Sequence, residues 1–120
     1  MKFSIKHKRE LNIKEKELLR FLFEREKKDW INLIDTLKVV ARCGCGNCPT
    51  ILFGNNFNDD ITDGYLLIDY YIKTNNQGIV GISLFGNENM PTQLEFYSVD
   101  GVSNINEIPN NYQESKKATN

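Results

Sequence analysis

The feature that most constrains this chain is a change of hydrophobic period at Lys38. Upstream of it, apolar residues recur at helical spacing. Leu18, Leu19, Leu22 and Phe23 form one stripe with Phe21 off its edge, and Trp30, Leu33, Ile34 and Leu37 form another. Downstream, apolar runs are short, alternate with period two and are separated by clusters of Gly, Asn, Asp and Pro. Asn12 and Glu15 have the spacing of a capping box and predict a helix over 13–27. Asp29 stands where a second N-cap would, ahead of the Trp30–Leu37 stripe. Strands are expected over 38–42, 49–53, 65–73, 79–85 and 93–99, with a hairpin turn at Asn75–Gly78.

Helices first and strands afterwards predict an α+β domain: two N-terminal helices packed on an antiparallel meander of about five strands. Leu18, Leu22, Trp30 and Ile34 are expected to face that sheet. A chain of 120 residues suffices for one core. The expectation is a single domain over 1–108 and a flexible polar tail over 109–120.

Charge narrows the functional classes. Residues 1–28 carry a balance of +5 and the remainder −6, so a net charge of −1 conceals a dipolar chain. Lys2, Lys6, Lys8, Arg9, Lys14 and Lys16 offer contacts for phosphates. Glu10, Glu15 and Glu17 are interleaved among them, however, and the acidic remainder repels a polyanion. Nucleic acid is therefore not the expected partner. No apolar run approaches the roughly 20 residues that span a bilayer, and a secretory leader is not expected. A cytoplasmic location is expected.

Cys43, Cys45 and Cys48 form C-x-C-x-x-C in a turn with Gly44 and Gly46. Cysteine pairs at this spacing hold zinc, but structural zinc takes four ligands and the chain has three cysteines. His7 lies far off in sequence, which leaves Asp59, Asp60, Asp63 or a neighbouring subunit as candidates for the fourth. The plain alternative is a crowded hairpin in which the thiols pack as small apolar groups and the glycines supply positive φ. A redox role is the weakest reading, because a thioredoxin-type pair opens a helix, whereas this one sits between strands. Asp59, Asp60, Asp63 and Gly64 lack the spacing of a calcium loop. Nothing assembles a nucleophile, base and oxyanion site, with His7 the sole histidine, so an enzyme is not expected.

Binding to a protein remains. Along 65–73, period two places Leu66, Ile68, Tyr70 and Ile72 on a core face and Tyr65, Leu67, Asp69 and Tyr71 on the other. With Glu95 and Tyr97 from the last strand, Tyr65, Asp69 and Tyr71 are the candidate partner-binding residues. Aromatics supply binding energy there, and acids steer a basic partner.

Arg42-Cys43-Gly44-Cys45-Gly46-Asn47-Cys48-Pro49-Thr50-Ile51, followed by Leu94-Glu95-Phe96-Tyr97-Ser98, resembles a family of small uncharacterised bacterial cytosolic proteins. Those proteins carry an Arg-Cys-x-Cys-Gly-Cys-Pro-like turn and a late Leu-Glu-x-Tyr-Ser strand. The resemblance covers about residues 12–101, and Asn47 is an addition to the motif. In size and look the chain also resembles immunity proteins of toxin systems. That implies a module that binds and neutralises a cognate toxin domain, often a basic nuclease, with no cofactor. The alternative is a zinc-binding structural or homo-oligomeric protein using the Cys43/Cys45/Cys48 turn.

Overall fold

A computed structural model of the chain describes residues 4–45, 48–101 and 104–118. Lys2, Gly46, Asn47 and the last two residues of the expected tail lie outside the described residues. Seven strands form one antiparallel sheet: β1 (Ser4–Glu10), β2 (Lys38–Cys43), β3 (Ile51–Gly54), β4 (Tyr65–Lys73), β5 (Ile79–Gly86), β6 (Pro91–Ser98) and β7 (Lys116–Lys117). Their order across the sheet is β1-β2-β3-β6-β5-β4-β7. Among the described residues a single α-helix, α1 (Ile13–Glu26), packs on one face.

This corrects the expectation of two helices on a five-stranded meander. The capping box does form: Glu15 N–H donates to Asn12 Oδ1 and Asn12 N–H to Glu15 Oε1, both at 2.9 Å. The second helix does not. Lys27 caps the end of α1 with φ −147°, and Lys28–Leu33 continues as a 3-10 turn with no side-chain cap. The stretch is short, and Asn32, Asp35 and Thr36 are weak helix formers. Trp30, Ile34 and Leu37 are nonetheless buried, so the apolar spacing is satisfied by a tighter turn.

The missed strands are the two sheet edges. β1 reads SIKHKRE, too charged for a core strand, yet an edge strand rich in Lys is a protected one. β7 has only two residues, which pair with Tyr70 and Tyr71 of β4. The segment expected as a polar tail thus carries contacts to the body. Before it, Ile105 and Ile108 are buried, and the buried Gln77 accepts from Asn106 N–H at 2.9 Å and Glu107 N–H at 3.2 Å. Tyr112 meets Phe21 edge-on, centroids 5.5 Å apart.

Apart from the short β7 on the outside of β4, the topology is two three-stranded units, β1-β2-β3 and β6-β5-β4, joined where Ile51 and Leu52 pair with Leu94 and Gln93. The buried Thr50 hydroxyl reinforces the seam by accepting from Phe96 N–H at 2.9 Å. Because β4 lies on the far side of β6 and β5, the chain from β3 must cross both. Its end does so on the face opposite α1, where Ile61–Gly64 line a cleft with Leu52, Phe85, Gln93 and Glu95. Gly64 runs against the backbone of Gly86, and a side chain there would collide with it.

One face of the sheet is the core. Ile68, Tyr70, Ile72, Val80, Ile82, Leu84, Leu94 and Phe96 pack with Leu18, Leu22, Phe23, Trp30 and Ile34, as the helical stripe requires. No helix among the described residues is long and apolar enough to cross a membrane.

Candidate functional site

The cysteine turn closes the β2–β3 hairpin, with Cys43 N–H donating to Thr50 O at 3.2 Å. Although Cys43 and Cys48 are half-buried and Cys45 is exposed, all three sulfurs lie within 4.8 Å of one another. Cys45 N–H donates to Cys43 Sγ and Cys48 N–H to Cys45 Sγ, both at 3.4 Å, and Cys45 Sγ stands 2.9 Å from Cys48 Sγ. Burial first, then hydrogen bonding to Cys45 and the proximity of Cys48, push the Cys43 thiol up to about 12. Gly44 does not have positive φ, contrary to the packing expectation for the turn. Beside the sulfurs lies a cleft of about 280 Å³ lined by Cys45, Cys48, Phe96, Tyr97, Ser98, Asn104 and Ile105.

The proposed fourth ligands are not there. Among the described residues, no histidine or carboxylate joins the cysteine group. His7 sits in β1 and accepts from Arg9 Nε at 3.1 Å. Asp59 accepts from Asn55 and Asn56 N–H at 2.8 and 3.1 Å and so holds its own turn. Arg9, one of the cations offered to phosphate, instead grips the buried Glu15 through two bonds of 2.8 and 2.7 Å.

The second site is on the open sheet face, and strand register builds it. Asp69 pairs with Ser83, which pairs with Glu95, giving one row across β4, β5 and β6. Tyr71 pairs with Gly81, which pairs with Tyr97, giving the next row. The Tyr97 ring lies on Gly81, where any Cβ would run into it. From there its hydroxyl donates to Asp69 Oδ1 at 3.0 Å, and the Ser83 hydroxyl donates to the same oxygen at 2.8 Å. Burial, and then the hydrogen bond to Asp69, hold the Tyr97 phenol above its usual range, so it stays a donor. Glu95 is also raised, by burial and by the like charge of Asp69.

Asp69, Tyr71, Glu95 and Tyr97 are therefore brought together in two adjacent rows. Tyr65 is not part of these rows. The register shifts between Leu66 and Ile68, so strict alternation does not carry across, and Tyr65 pairs with Gly86. The same shift leaves Leu66, expected in the core, 48% exposed. Sequence reasoning missed Ser83 and Gly81, one a second donor to Asp69 and the other the floor under Tyr97. A glycine inside an apolar strand signals such close approach. The chain matches no protein-family model, no curated protein and no solved structure in the comparisons made.

Proposed function

We propose that this protein is a non-enzymatic binding module whose acidic, tyrosine-bearing sheet face takes a basic surface of a protein partner. An immunity protein that covers a toxin domain in the cytoplasm is the form of this reading that the sequence resemblance supplies. The observation that carries it is Asp69, a carboxylate fixed in place by two hydroxyl donors between exposed tyrosines. Pre-organisation of that kind removes the ordering cost that a free surface side chain pays on association. Tyr71 and Tyr97, 39% and 36% exposed, supply rigid contact area beside it, and Glu95 adds charge in the same row as Asp69. No reacting atom has to be held, since covering a partner needs only shape and charge.

The test is co-expression with the product of the neighbouring gene, followed by titration calorimetry of the purified pair. Asp69→Lys is expected to weaken the complex at least about tenfold, equivalent to about 1.4 kcal/mol. A neighbour that is neither toxic nor bound, or a complex indifferent to Asp69→Lys and Glu95→Lys alike, defeats the reading.

A further inference from the structure

We propose that Cys43, Cys45 and Cys48 bind one thiophilic d10 cation, zinc or copper(I), through three thiolates. This site is separate from the acidic face and does not depend on the partner reading. Three sulfurs from six consecutive residues already lie within 4.8 Å of one another. Thiolates bonded to one tetrahedral zinc at about 2.3 Å stand about 3.8 Å apart, so the group is near the required size. The Cys45–Cys48 pair, at 2.9 Å, must open by roughly 0.9 Å to reach that spacing.

A packing role alone accounts poorly for this arrangement. Cysteines that serve as small hydrophobes are among the most buried residues. Here Cys45 is exposed, and the other two are only half-buried. Soft sulfur donors, joined among the described residues by no carboxylate, favour zinc or copper(I) over magnesium or calcium. Three ligands suffice for trigonal copper(I). Zinc would keep its fourth position for water or a small ligand, and the cleft between Cys45, Cys48, Tyr97 and Asn104 is the route to it. Loading breaks no bond except the three S–H bonds, whose protons pass to buffer.

The experiment uses the full chain, reduced and handled without oxygen. It is titrated with Zn2+ against a competing chromophoric chelator, with Co2+ read by thiolate charge-transfer absorption, and with Cu(I) against a copper(I) chelator. One equivalent is expected of Zn2+ or of Cu(I), and the better-retained ion identifies the occupant. Cys43→Ser, Cys45→Ser and Cys48→Ser should each weaken that binding at least about tenfold. If a variant fails to fold, alkylation of the wild type decides: the bound ion should slow the modification of each of the three cysteines relative to the metal-free chain. Less than about 0.2 equivalents of either ion overturns the proposal. So does Cys43→Ser binding that equals wild type, or protection of Cys45 and Cys48 only. A Cys45–Cys48 disulfide that forms in air and leaves Cys43 alkylatable, with no metal taken up after reduction, overturns it in favour of thiol redox.

Discussion

The cysteine turn and the Asp69 face differ in how the chain makes them. The turn is local: its three sulfurs come from six consecutive residues, and closing one hairpin brings them together. The face is collective. Asp69, Ser83, Gly81, Glu95 and Tyr97 come from three strands, and those on different strands meet only where β4, β5 and β6 hold one register. A slip of one residue would send each side chain to the other side of the sheet, while leaving the turn's composition untouched. A local site therefore tolerates disturbance of the sheet, and a collective site is only as good as its rungs.

The sharpest way to break the comparison is Gly81→Val. The new side chain must displace the Tyr97 ring, which costs about 1–3 kcal/mol of stability in urea unfolding. Partner binding should fall with it, while metal uptake by the turn should persist. Gly81→Val combined with Tyr97→Ala should cost less than the two single changes summed, because the collision is gone. Additive costs would mean that the ring does not lie where we place it.

A smaller effect is expected at the hydrogen bond itself. Tyr97→Phe keeps the ring on Gly81 and removes only the donor to Asp69, at a cost of about 0.5–1.5 kcal/mol. Ser83 continues to hold the carboxylate, so Asp69 should lose position without being freed. Replacing all three cysteines by Ser in the metal-free chain should change stability by less still, within about 0.5–1 kcal/mol, as befits thiols that are at most half-buried. A large loss there would return the cysteines to a packing role.

Legibility in the sequence follows the same division. Helix α1 was readable because its cap, its stripe and its end all lie within one short segment. The cysteine group was readable for the same reason. What failed needed partners from elsewhere in the chain. Trp30 and Ile34 lie in the core as expected, but helical spacing over one short stretch cannot distinguish an α-helix from a 3-10 turn. Strand β1 is polar because it borders solvent, and only its pairing with β2 reveals it. The last segment is polar by composition, yet Phe21 and Tyr70, far off in sequence, meet it. Tyr65 was misplaced by one irregularity that alternation does not announce.

The smallest effect concerns the acid at the far end of the Asp69 row. Burial and the neighbouring charge of Asp69 raise the Glu95 carboxyl above its ordinary 4.5. The folded chain therefore holds this proton more tightly than the unfolded chain does. The stability this contributes is fully present below the unfolded value and is lost as pH rises through the folded one. At neutral pH, Glu95 is an ionised group kept partly from water beside a like charge, so Glu95→Gln should stabilise the protein there. Below pH 4.5 the gain should vanish, because the wild type is then protonated in both states. Unfolding of both proteins in urea across this range reads the difference directly, and a gain that does not depend on pH would remove Glu95 from the influence of Asp69. The same substitution leaves the cysteine turn alone, so metal uptake should not change. That result would separate the collective site from the local one by charge, as Gly81→Val does by shape.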